Sequence, residues 1–186
     1  MAGGERVTQF EFVSVFASII MGLGLAHLLT GAIEQVYRRQ IDYVQSCYAV
    51  SALLIIVLNW WGLFAWKDGP AWSLIQFLVL TLWSLSMFVI CVAIYPPGDL
   101  GKERFETHRR VVLIALTVLF VLDIAQTALQ GTLFLPATYL PVVSHFVVLF
   151  VAAATIRNTL AQKILATYFP LAGFVWGFVW TAGAIG

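Results

Sequence analysis

Hydrophobic residues along this chain are gathered into long runs, and polar residues stand in short clusters between them. Most runs reach the roughly 20 residues that an α-helix needs to cross the hydrocarbon core of a bilayer. The clearest breaks are the pair Arg38 and Arg39 and the charged segment 99–110. The pattern predicts a single transmembrane domain over residues 1–186, with spans at 10–37, 43–66, 71–95, 111–130, 138–156 and 165–185.

Composition narrows the fold class further. The 186 residues are 61% hydrophobic and only 10% charged, whereas a soluble domain averages about 45–50% and 25%. So few charges cannot cover a water-facing surface. We therefore expect an all-α, polytopic integral membrane helical bundle with about six transmembrane helices. Pro170 lies inside the last span and is expected to kink it.

The distribution of Lys and Arg predicts an orientation. With six spans, the segments after the first, third and fifth spans share one side of the membrane and hold eight of the ten Lys and Arg residues. Only Arg6 and Lys67 fall on the other side. By the positive-inside rule both termini lie on the non-cytoplasmic side. Trp66 and Trp72 would then belong to an aromatic belt at the outer interface.

A line of small residues follows the first span at four-residue intervals, which places it on one face of a helix. Small residues allow another helix backbone to approach closely within lipid. We define the small-residue ridge as Ser14, Ser18, Gly22, Ala26 and Thr30.

Polar side chains in four other spans fall at similar depths in the outer half of the membrane. Asp123 lies roughly 12 Å below the outer end of the fourth span, and His145 roughly 9–13 Å below that of the fifth. Ionisable groups within a membrane are costly and indicate function or specific pairing. We expect Asp123 and His145 to pair within a ligand or ion pocket. The pocket residues predicted are Asn59, Gln76, Asp123, Gln126 and His145.

His27 and Glu34, nearer the cytoplasmic side of the first span, form a second and weaker candidate polar site. A hydrogen bond from His27 to a neighbouring carbonyl or hydroxyl, and an ion pair of Glu34 with Arg38 or Arg39, are the competing structural explanations. The sequence indicates no metal site and no cofactor. It contains no nucleotide-binding, serine-hydrolase or zinc-protease motif, so an enzyme is disfavoured.

The opening resembles a broad group of uncharacterised bacterial multi-pass inner-membrane proteins. The resemblance rests on the segments 10–15 and 22–31 and on Trp60 and Trp61, within the first third of the chain. It implies a bacterial inner membrane and carries no activity or site residue with it.

Two hypotheses for function follow. The chain is a small transporter or channel-like protein with an outward-facing polar pocket, or it is a structural or interaction subunit of a membrane complex that packs through the small-residue ridge. The partners expected are the lipid bilayer and either a second copy of the chain or another membrane protein. Nothing indicates nucleic acid binding, since no basic patch is present.

Overall fold

The computed structural model describes residues 8–67, 72–98, 105–134 and 136–183, apart from the side chains of residues 64, 65 and 179–183. Arg6, Lys102 and Arg104, which contributed to the predicted orientation, and the outermost ends of some predicted spans lie outside these residues. The described residues contain no strand. They form α1 (Gln9–Tyr37), α2 (Tyr43–Gly62), a 3-10 helix (Leu63–Trp66), α3 (Leu74–Ile94), α4 (Glu106–Leu129), α5 (Tyr139–Thr155) and α6 (Thr159–Gly183).

The prediction of an all-α fold is confirmed for the residues that the structure describes. Helices α1, α2, α3 and α4 are each long and apolar enough to cross a membrane. Helix α5 is a shorter apolar helix of 17 residues.

Local capping explains where several helices begin. Thr8 and Glu11 form a reciprocal capping box at the start of α1, and Ser73 and Gln76 form another at the start of α3. Asp42 caps α2 by accepting a hydrogen bond from the backbone N–H of Gln45. Such caps satisfy the N–H groups that the first turn leaves without partners.

Two helices extend further than the hydrophobic pattern predicts. Helix α4 begins at Glu106, five residues before its predicted start, and α6 begins at Thr159, six residues before its predicted start. Both added segments contain polar residues with good helix propensity, such as Arg109, Gln162 and Lys163, which can continue a helix beyond the apolar run. Hydrophobicity alone therefore misplaces these helix starts.

The helices run up and down, as contacts between their ends show. Gln9 accepts a hydrogen bond from the backbone N–H of Trp72, which places the starts of α1 and α3 together. Gln76 at the start of α3 donates to the carbonyl of Leu129 at the end of α4. We use "predicted outer end" for the end of the bundle at which α1, α3 and α5 begin.

Helix α3 lies at the centre of the packing. It packs against α1 on one side and α4 on the other, and α5 packs against α4. Helix α6 packs mainly against α2. The α2–α6 pair therefore faces the α4–α5 pair, and the space between these pairs contains the candidate site.

The face of α1 that packs within the monomer is not the small-residue ridge. The buried stripe of α1 instead includes Ala17, Met21, Gly24 and Gly31, and α3 approaches closely at the two glycines. A Cβ atom on Gly24 would lie 3.2 Å from the Cα of Phe88, and one on Gly31 would overlap the side chain of Tyr95. A Cβ atom on Gly22 would meet nothing within 4 Å.

Candidate functional site

A cavity of about 330 Å³ lies between the α2–α6 pair and the α4–α5 pair. Its lining extends from the middle of the bundle, at Phe150 and Phe169, to the connecting segments at the predicted outer end, at Trp66, Thr132 and Pro136. Its volume is at the small end of the range for ligand pockets, which is about 300–1,000 Å³.

Asp123 of α4 is the acidic residue of the described cavity wall, and side chains from two other helices hold its carboxyl group. Trp83 Nε1 of α3 donates to Asp123 Oδ1 at 3.2 Å, and the Tyr139 hydroxyl of α5 donates to Oδ2 at 2.6 Å. The Tyr139 oxygen accepts in turn from Thr127 Oγ1 at 3.0 Å. Asp123 is thus fixed in orientation while it remains partly exposed to the cavity.

The rest of the lining is mostly apolar. Ser51 and Asn59 are polar, but each donates to a carbonyl of its own helix, Ser51 to Cys47 and Asn59 to Ile55, both at 2.8 Å. Among the residues that the structure describes, no lysine, arginine or histidine lines the cavity. The single acidic group therefore has no basic neighbour on the cavity wall.

Aromatic rings close the cavity toward the middle of the bundle. The ring centroids of Phe150 and Phe169 are 4.8 Å apart, and Phe120 lies 5.3 Å from Phe150 and 5.6 Å from Phe146. Tyr48 continues the cluster beyond Phe169, at 5.9 Å. These rings separate the cavity from the end of the bundle that carries most of the described basic residues.

The structure brings only two of the five predicted pocket residues to the cavity, namely Asn59 and Asp123. Gln76 completes the capping box of α3 and bonds the end of α4, so its role is structural. Gln126 is fully buried outside the cavity lining, and neither polar atom of its amide has a partner among the described residues.

The predicted pair of Asp123 with His145 is wrong. His145 Nε2 lies 2.7 Å from the Tyr168 hydroxyl, in an exposed contact between α5 and α6. Its helix is rotated so that the neighbouring Phe146 faces the cavity instead. A depth estimate from helix rise contains no information about this rotation.

The second candidate site, His27 and Glu34, separates into two structural contacts. His27 Nε2 donates to the carbonyl of Tyr95 at 2.7 Å, which ties α1 to the end of α3. Glu34 forms an ion pair with Arg38 on its own helix. Both structural explanations offered for these residues are therefore confirmed. The described residues also contain no group of three or more His, Cys, Asp or Glu that could hold a metal ion.

Sequence reasoning missed Trp83 and Tyr139, which position Asp123, and it did not place Trp66 in the cavity wall. A signal was available, because a buried Trp N–H or Tyr O–H usually finds a hydrogen-bond partner. Identifying that partner required the packing of α3, α4 and α5 against one another.

Comparison with known proteins adds no assignment, since no protein-family model, curated protein or solved structure matches this chain.

Proposed function

We propose that this chain is an inner-membrane protein with six spans, that both termini lie on the non-cytoplasmic side, and that it is a small transporter which binds its substrate in the outward-facing cavity. One observation carries the proposal. The carboxyl group of Asp123 lies at the depth of the predicted membrane and borders a cavity that extends to one end of the bundle. Ionisable groups at membrane depth typically mark substrate or ion pathways.

Length and charge support the six-span arrangement. The 17 residues of α5 match the lower limit of about 17 residues for a membrane-crossing helix. Among the described residues, the end opposite the cavity mouth carries Arg38, Arg39, Arg109, Arg110 and Arg157, together with Lys163 in the first turns of α6. The positive-inside rule assigns that end to the cytoplasm.

The aromatic rings that close the cavity toward the middle of the bundle favour a transporter over an open channel. A channel needs a continuous path, whereas Phe150 and Phe169 are both nearly fully buried and in contact. Helical transporters bind their substrates near the membrane midplane and expose the site to one side at a time. The cavity matches the outward-exposed stage of such a cycle.

Cysteine labelling tests whether the cavity is open to water. In a background with Cys47 and Cys91 replaced by serine, Val142→Cys is expected to react with a water-soluble, membrane-impermeant thiol reagent added from the outside. Val142 lines the cavity, and water is needed to form the reactive thiolate. The measurement is the labelled fraction in intact cells or right-side-out vesicles.

Val148→Cys on the same helix is the matched control. Val148 is 66% exposed on the outer surface of the bundle, where lipid would surround it, and it is expected to remain unlabelled. Thr132→Cys at the cavity mouth reports that the reagent reaches the correct side. Labelling of Thr132→Cys without labelling of Val142→Cys would contradict an open cavity and the proposed function with it.

One observation favours the second candidate, an interaction subunit. The small-residue ridge of α1 points away from the monomer: Ala26 and Thr30 are exposed, and Ser14, Ser18 and Gly22 are partly exposed. The hydroxyls of Ser14 and Thr30 donate to carbonyls of their own helix, at Glu11 and Ala26. The ridge can therefore contact an apolar partner without leaving these two hydroxyls unbonded.

Gly22→Leu is expected to weaken self-association of the chain while leaving the monomer folded. A Cβ atom added at this partly exposed position meets no other atom within 4 Å, so the monomer should accept leucine, whereas the larger side chain would separate two helices packed along the ridge. Energy transfer between donor-labelled and acceptor-labelled copies in liposomes measures the effect, and Gly22→Ala, which keeps a small residue, is the control. If Gly22→Leu and Gly22→Ala both self-associated as strongly as the unmodified chain does, the ridge would not be a self-association surface.

A further inference from the structure

We infer that the ligand of the cavity is an apolar organic monocation, an ammonium group on a compact hydrocarbon body. This inference rests on the proposed function, because it names the substrate class of the same cavity. Its first support is charge. Asp123 is the acidic residue of the described wall, and none of the basic residues that the structure describes lies beside it there. A ligand with one positive charge supplies the missing counter-ion.

The free hydrogen-bond acceptor positions of the Asp123 carboxylate also favour an ammonium ligand. An ionised carboxylate offers about four acceptor positions on its two oxygens. Trp83 and Tyr139 each occupy one, on different oxygens, so both oxygens keep capacity for a further donor. An ammonium group provides three donors and no acceptor. Since Trp83 and Tyr139 already hold the carboxyl group in place, little ordering cost remains when the ligand binds.

The side chains of the cavity wall favour a ligand whose uncharged part is a hydrocarbon. The wall is formed largely by aliphatic and aromatic side chains, including Leu58, Leu116, Phe120, Phe146 and Trp176. Aromatic faces also attract cations, an effect that is strongest for Trp and grows when the site excludes water. A volume of about 330 Å³ suits a compact hydrocarbon rather than a long chain.

Other ligand classes fit the cavity poorly. Hard metal cations such as Ca²⁺ require six or more oxygen ligands, whereas this wall presents one carboxyl group and a few hydroxyls and amides already engaged in hydrogen bonds. A carboxylate or phosphate would face the like charge of Asp123. A sugar would place its hydroxyls against apolar walls, where unpaired polar groups are costly.

Three compounds of the same shape and different charge test the inference. The protein in phosphatidylcholine nanodiscs is titrated at pH 7 with 1-adamantanamine (positive), 1-adamantanol (neutral) and adamantane-1-carboxylate (negative), and tryptophan fluorescence reports binding. Zwitterionic lipid avoids electrostatic accumulation of the amine at the membrane surface, and empty nanodiscs correct for partitioning. The amine is expected to bind at least tenfold more tightly than the alcohol, and the carboxylate is expected not to saturate.

Asp123→Asn in the same nanodiscs is expected to remove the tenfold preference and to leave the affinity for the alcohol nearly unchanged. If this variant does not fold, Asp123→Glu retains the charge and should retain the ranking. Equal binding of amine and alcohol by the unmodified protein would overturn the inference and leave the cavity as a general apolar site. The inference would also be overturned if none of the three compounds bound saturably although Val142→Cys was labelled, which would show that the cavity is open to water. Failure of that labelling would instead overturn the proposed function.

Discussion

Arg109→Met is expected to lower the free energy of unfolding by about 3 kcal/mol, since a hydrogen bond from a charged donor contributes roughly 1.5–3 kcal/mol. Arg109 is only 5% exposed, and its guanidinium group donates to the carbonyl of Ala153 at 2.7 Å and to that of Ile156 at 3.0 Å. Arg109 thus binds the carbonyls at the end of α5, where a helix carries partial negative charge. Gln162 still donates to the carbonyl of Ile156 after the substitution, whereas no other described side chain donates to the carbonyl of Ala153.

The neighbouring Arg110 offers a closely matched control. It is exposed on the same turn of α4, so Arg110→Met removes the same charge and should change stability by no more than about 0.5 kcal/mol. Unfolding by dodecyl sulfate in mixed micelles, followed by circular dichroism, gives both values. Similar losses for the two variants would show that net charge, and not the contact with α5, accounts for the effect.

Gly31→Ala is the second substitution with a large expected effect. A Cβ atom at this position would overlap Cβ and the ring of Tyr95, and overpacking of a well-packed core costs about 1–3 kcal/mol. Tyr95 cannot move freely, because its carbonyl accepts from His27 and its hydroxyl donates to Gln35 at 3.2 Å. We therefore expect the free energy of unfolding to fall by about 2 kcal/mol.

Gly22→Ala on the same helix is the comparison for this substitution. Its new methyl group meets no atom within 4 Å, so the change in unfolding free energy should stay within about 0.5 kcal/mol. Both variants gain the same helix propensity from alanine. A loss at Gly22 equal to that at Gly31 would mean that the close approach of α1 to α3 does not limit stability.

The long hydrophobic runs were sufficient to predict the approximate positions of the α-helices in the described part of the chain. They worked well for α1 and α2, because Thr8 and Asp42 cap the starts of these helices where the apolar runs begin. They could not show which face of α1 packs inward. The small-residue ridge and the buried stripe containing Gly24 and Gly31 both follow helical spacing, and only contact with α3 distinguishes them.

The candidate site was predictable only in part for the same reason. Asp123 was identifiable as a costly group at membrane depth, and the structure places it on the cavity wall. Its partners were not identifiable, because Trp83 and Tyr139 reach it from helices whose rotation the sequence leaves open. Arg109 shows the same limit: among the basic residues at the start of α4 it resembles an orientation charge, but the structure gives it a buried role at the end of α5.

Pro170 gives α6 a mechanical property that follows from where it lies. Proline has no backbone N–H, so α6 lacks the hydrogen bond that would otherwise reach the carbonyl of Ala166. The same residue lines the cavity, together with Gly173 one turn further along. The free-energy cost of bending α6 is therefore expected to be lowest at Pro170, so this residue can serve as a hinge in the cavity wall. The outer half of α6 can change the width of the cavity without unfolding a turn of helix.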